Sequence, residues 1–99
     1  MKKIIQGLQK TFESRVRLGI MSILAVNDAM DFNALKELLE VTDGNLASHL
    51  KALEKEEFVQ VRKSFIGRKP NTSFSITQAG QAAFTAHLSA LEHLIKSNR

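Results

Sequence analysis

The run Thr42-Asp43-Gly44-Asn45-Leu46-Ala47-Ser48-His49-Leu50-Lys51-Ala52-Leu53-Glu54-Lys55-Glu56-Glu57 decides the fold. It reads as a helix with a defined start. Thr42 or Asp43 can cap it, because a short side-chain oxygen accepts from an amide left unpaired in the first turn. Leu46, Leu50 and Leu53 recur at i, i+4, i+7 and share one face, which docks the helix on a core. The opposite face carries Gly44, Asn45, Ser48, Lys51 and Lys55, with His49 on the shoulder. Its early residues are short and polar, and its later ones are cationic.

Upstream, the helical period recurs three times. Ile4, Ile5, Leu8 and Phe12 predict a short first helix over about 4–12, with Gly7 as its weak point. Ser14 can cap a second helix to about Val26. Its apolar residues (Val16, Ile20, Ile23 and Leu24 on one side, Leu18 and Met21 on another) cover most of the circumference, as in a buried central helix. Asn27-Asp28 ends it, and Ala29–Phe32 reads as a very short strand. Asn33 is the expected cap of a third helix, Ala34 to about Glu40, with Leu35, Leu38 and Leu39 inward. Two short helices joined by a few polar residues, the second with a polar outer face, make a helix-turn-helix pattern.

Downstream of Glu57 the period changes to two. Val59, Val61 and Phe65 alternate with Gln60, Arg62 and Ser64, which predicts a strand. Ile66–Asn71 reads as a loop by its Gly, Pro and Asn. Thr72–Ile76 alternates again with Phe74 and Ile76 inward, so the two runs form a hairpin. Thr77 caps a last helix over about 77–96, in which Gly80 is a tolerated interruption and Phe84, Leu88, Leu91 and Ile95 form one stripe flanked by His87 and Leu94. The whole is mainly α with a small β-hairpin, an α+β winged helix-turn-helix in the order α-α-β-α-α-β-β-α. The 99 residues are expected to form a single domain, and the apolar fraction of 43% supplies one core.

Charge is distributed unevenly. Residues 58–72 hold Arg62, Lys63, Arg68 and Lys69 and no acid, whereas residues 31–57 hold seven acids against three cations. A dense cationic hairpin beside a helix with short polar residues at its start fits duplex DNA. Early residues of a groove-entering helix reach base edges, and cations meet phosphates. The expected contacts from the helix over 43–57 are Asp43, Gly44, Asn45, Ser48, His49, Lys51 and Lys55. From the wing over 62–72 they are Arg62, Lys63, Arg68 and Lys69.

Three linked motifs carry a family resemblance. Asp43–Glu54 resembles the recognition helix of small bacterial and archaeal winged-helix regulators, the short relatives of the MarR and ArsR families. Phe58–Lys63 followed by Gly67–Thr72 is similar to their wing, and Ile76-Thr77-Gln78-Ala79-Gly80 resembles the segment that opens their last helix. The resemblance covers about Glu13 to Ile95. It implies a homodimeric, sequence-specific regulator of transcription, with its recognition helix in the major groove and its wing on the backbone or minor groove. The chain departs from the metal-sensing ArsR type in having no cysteine.

The remaining expectations are brief. Apolar stripes on both terminal helices exceed what a small core must cover, and such surfaces mark interfaces. The expected dimer interface is therefore Ile4, Ile5, Leu8, Phe12, Phe84, His87, Leu88, Leu91, Leu94 and Ile95. Without cysteine there is no disulfide framework and no thiolate site, and the histidines lack metal-pair spacing, so neither metal nor cofactor is expected. No phosphate loop or nucleophile–base constellation points to an enzyme. The basic start lacks the apolar run of a signal peptide, and no stretch approaches the roughly 20 apolar residues of a membrane span. A cytoplasmic protein is expected. Nothing names a small-molecule effector. The competing reading is a winged helix used for protein–protein docking without DNA specificity, for which Glu54, Glu56 and Glu57 behind the recognition helix give room.

Overall fold

A computed structural model describes residues 5–98. After helical residues 5 and 6 and the 3-10 turn Lys10–Phe12, the elements are α1 (Arg15–Ala25), β1 (Met30–Asp31), α2 (Phe32–Leu39), α3 (Asp43–Lys55), β2 (Val59–Ile66), β3 (Lys69–Ile76) and α4 (Gln78–Ser97). The strands form one antiparallel sheet in the order β1-β3-β2. This is the expected winged-helix order. The first helix is the exception: it gives way after Gln6, and the Gln9 side chain caps the 3-10 turn that replaces it. Ile4 lies outside the described residues.

The caps do much of the local work. Ser14 starts α1, Thr42 starts α3 and Thr77 starts α4, each hydroxyl accepting from an amide of the first turn. For α2 the expectation fails by two residues. Asp31, not Asn33, is the cap; its carboxylate accepts from the Ala34 amide at 2.7 Å. An acceptor three residues before the amide it satisfies is the required spacing, and β1 holds Asp31 extended in that place. The eight-residue α2 also buries a narrower stripe than expected. Leu35 is fully buried with Phe32 and Leu39 half-buried, whereas Leu38 is 61% exposed.

Central helix α1 packs against the 3-10 turn, α2, α3, α4 and β3. Its Ile20, Met21 and Leu24 meet Phe12, Leu35, Leu46, Leu50, Leu53, Val59, Phe74 and Phe84 in one core. Phe12 is the hub at the N-terminal side, with ring centroids 5.5 Å from Phe58, 6.0 Å from Phe84 and 5.3 Å from His87.

The hairpin is longer and tighter than expected. The six-residue loop is a two-residue turn at Gly67-Arg68, with Ser64↔Asn71, Phe65↔Pro70 and Ile66↔Lys69 all paired. Gly67 supplies the left-handed φ of +66° that closes so short a turn. Proline is tolerated at position 70 because β1 reaches only Ser73 and Phe74, leaving that part of β3 with a free edge. Phe65 keeps the inward side of the alternation but lies beyond the core and is 73% exposed.

Gly80 is a requirement of packing rather than a tolerated break. A Cβ there would lie 2.1 Å from the Phe58 carbonyl oxygen, which already accepts from the Thr77 amide at 3.1 Å. Helix propensity alone would favour alanine by about 1 kcal/mol. Overpacking against fixed backbone reverses the sign, so Gly80→Ala should destabilise the fold by about 2 kcal/mol or more, read as a lower urea midpoint.

His87 is buried on α4, and its Nδ1 accepts from the Gln9 amide at 2.9 Å. Burial holds its pKa below the ordinary value of about 6.5. The unfolded chain therefore binds more protons than the folded one just below that value. The stability His87 contributes is complete above about pH 6.5 and is lost as pH falls from there toward the lowered folded-state pKa. Urea midpoints should drop between pH 7.5 and pH 5.5, and the drop should shrink in His87→Asn, which keeps an acceptor without the titration.

Candidate nucleic-acid interface

The surface of interest is set by the docking of α3. Leu46 and Leu53 are fully buried and Leu50 is 2% exposed, which fixes the rotation of the helix. Gly44, Ser48, Lys51 and Lys55 consequently point away from the core and are exposed, as is Asn45 on the flank toward α1. The helix has 13 residues, about 20 Å of length. Asp43 is exposed in the first turn and pairs with Lys36 of α2 at 2.7 Å. That contact joins the two helices of the helix-turn-helix and offsets the acid's charge on this surface.

His49 sits differently from the other predicted residues. It is half-buried on the α1 side, and its Nδ1 accepts from the Arg17 Nε–H at 2.9 Å. Arg17 also donates through Nη1 to the Thr11 carbonyl at 3.4 Å. Burial, and then the Arg17 charge, lower the His49 pKa and favour the neutral ring. Arg15, also on α1, lines a surface groove with Thr42 and Asn45. Neither arginine was singled out from the sequence, because the period of α1 speaks only for its apolar residues. An arginine in the first turn of a buried helix was the available signal.

The turns at both ends of α3 place its neighbours. Glu40, at φ 53°, ends α2, and Glu57, at φ 63°, ends α3. At the second turn the Glu57 amide donates to the Glu54 carbonyl at 2.9 Å and the Phe58 amide to the Leu53 carbonyl at 3.0 Å. This is a Schellman closure, made here without glycine. It sends the chain directly into β2 and so fixes the wing relative to the helix.

Strand alternation divides the four wing cations. Val59, Val61, Lys63 and Phe65 share one face of β2, opposite Ile76, Phe74, Thr72 and Pro70. Lys63 thus lines the groove between wing and α3, together with Ala47, Lys51, Glu54 and Thr72. Arg62 is on the other face, beside Gln60, Ser73, Ser75 and Asp28. Arg68 and Lys69 are exposed at the tip. The sequence groups all four; the sheet puts Lys63 on the groove face and Arg62 on the other, with Lys69, paired with Ile66, at the tip on Arg62's face.

The expected dimer residues also separate. Phe12, Phe84 and His87 are buried inside the chain at 1%, 7% and 5% exposure, so they are corrected from interface to core. The cause is the 3-10 turn, which brings Phe12 edge-on to both Phe84 and His87. Ile5, Leu88 and Ile95 remain exposed, with Leu8, Leu91 and Leu94 half-buried. Among the described residues no three His, Cys, Asp or Glu side chains are grouped as for a metal ion. No helix among them is long and apolar enough to cross a membrane.

Comparison with known proteins agrees with this geometry. A winged helix DNA-binding domain model matches residues 16–95. An uncharacterized protein of Methanocaldococcus jannaschii is 41% identical over 88 residues, covering 89% of this chain and 96% of that one. A transcriptional regulator homologue from Pyrococcus horikoshii superposes with a TM-score of 0.85 at 32% identity, covering 97% of this chain and 93% of the other. MepR of S. aureus, solved as a DNA complex, superposes at 0.76 over 98% of this chain and 79% of its own, with 14% identity, a likeness of fold.

Proposed function

The chain belongs to the winged-helix DNA-binding domain family, and from this premise we propose that it regulates transcription as a two-fold homodimer reading duplex DNA. In this reading α3 enters the major groove and the wing lies on the adjacent backbone or minor groove. Gly44, Asn45 and Ser48, with the rim residue His49, face base edges, while Lys51, Lys55, Lys63, Arg68 and Lys69 meet phosphates. The observation that carries the proposal is the orientation of α3. Its leucines are spent on the core, its outward face holds short polar and cationic side chains, and the one acid of its first turn is paired with Lys36.

The dimer is supported by the shape of the chain and by its remaining apolar surface. The molecule measures 55 × 25 × 21 Å with a radius of gyration of 14.9 Å, against about 13 Å for a compact 100-residue domain. Leu88 and Ile95 lie on the solvent side of α4, and Ile5 lies on the segment that Gln9 ties to the same helix. A two-fold pairing through this region buries those residues and presents two copies of α3 to one face of the duplex.

Selection of bound sites from random duplexes, with light scattering on the free protein, tests both parts. The expected result is a two-fold symmetric site and a dimer at micromolar concentration; a monomer overturns the pairing. Leu88→Glu with Ile95→Glu should give a folded monomer with weakened binding. The sorted wing yields a finer outcome. Lys63→Ala should flatten the plot of log affinity against log salt by about 1.8, or ~0.9 for each copy in the dimer, whereas Arg62→Ala should leave the slope unchanged. Equal flattening by both would show that the contact is not confined to the groove face.

A further inference from the structure

We propose that Arg17 is a positioning residue for DNA reading, fixing His49 as the Nε2–H tautomer so that it offers the duplex a donor on the rim of α3. The proposal rests on the functional reading above. The two residues are 32 positions apart, one on the central helix and one on the recognition helix, and they meet through the Arg17 Nε–H and the His49 Nδ1 at 2.9 Å. A guanidinium nitrogen of this kind is a donor and never an acceptor. The nitrogen it faces must therefore carry the lone pair, and the ring's one proton must sit on Nε2. Without the arginine the proton is free to move between the two nitrogens and the ring is free to turn.

The arginine is itself held in place. Its Nη1 donates to the Thr11 carbonyl, so the guanidinium bridges the 3-10 turn, α1 and α3. Among the described residues no protein acceptor takes the His49 Nε2–H, and the residue is half-buried rather than enclosed. Its neighbours on α3 are the exposed Asn45 and Ser48. A donor fixed in this position suits an acceptor of the duplex, a phosphate oxygen or the N7 or O6 of guanine. Two of the five Arg17 donors are used inside the protein, one on His49 and one on Thr11.

Nitrogen-15 shifts of the His49 ring in the free protein at pH 7.5 test the assignment without DNA. The parent should show a protonated Nε2 and an unprotonated Nδ1; a protonated Nδ1 overturns the proposal. Arg17→Met should regain a detectable fraction of the Nδ1–H form while keeping the helical circular dichroism of the parent. If the variant fails to fold, the parent shifts and His49→Gln, which keeps a donor near Nε2, decide the question. The DNA arm is a double-mutant cycle on a selected site and on scrambled duplex. Arg17→Met should weaken binding about fivefold in the His49 background and leave it unchanged in the His49→Gln background. A loss confined to the selected site identifies a base acceptor, and an equal loss on both duplexes identifies a phosphate. A similar loss in both backgrounds means that Arg17 acts through its own charge and overturns the positioning role. Should the parent bind no duplex at all, the functional reading falls, while the ring shifts still establish or refute the tautomer lock.

Discussion

Exclusion of Leu46, Leu50 and Leu53 from water is the constraint on which the rest of this surface depends. Burying each leucine contributes roughly 2 kcal/mol, more than an exposed hydrogen bond or ion pair on the same helix. The apolar face therefore decides how α3 is turned, and the polar face goes where the leucines leave it. This division of labour lets the outward residues vary with little effect on folding. His49 stands on the border between the two regimes: close enough to the core to be held by Arg17, and open enough to be reached from outside.

Features with a local cause were legible in the sequence. The 3.6-residue period of the leucines placed α3 and its inward face, and Ser14, Thr42 and Thr77 announced three helix starts. The change to a period of two marked β2 and β3. Features caused by distant partners were not legible. Gln9 and His87 are 78 positions apart, and nothing near either one announces the hydrogen bond that turns His87 inward. Gly80 looked like a weakness because its own helix gains nothing from glycine, whereas the reason lies in the Phe58 carbonyl. Asp31 was hidden as a cap because it also belongs to a strand, and a two-residue strand leaves little pattern to read. The wing was shortened in the reading because Pro70 and Asn71 usually mark a loop, and here a free strand edge accommodates them.

The terminal elements and α3 belong to one packed unit. Phe12 touches Phe58, just past the end of α3, and also Phe84 and His87 on α4. Arg17 ties the same N-terminal turn to His49. A displacement of α4 against a second copy of the chain would thus be felt at the middle of α3 and just past its C-terminal end, through contiguous side chains rather than through a hinge.

The closed, fully paired wing has a consequence for how this fold tolerates change. Its two strands meet in a two-residue turn, so β2 has no slack against β3. Sliding one strand past the other by a single residue would turn every side chain of the moved strand to the opposite face. Lys63 would leave the groove and Arg62 would take its side of the sheet, with no alteration in composition or net charge. A single-residue insertion between Val61 and Lys63 would therefore rewire the wing more thoroughly than the loss of any one cation. Parity of strand length, rather than the count of basic residues, is the quantity such a hairpin has to conserve.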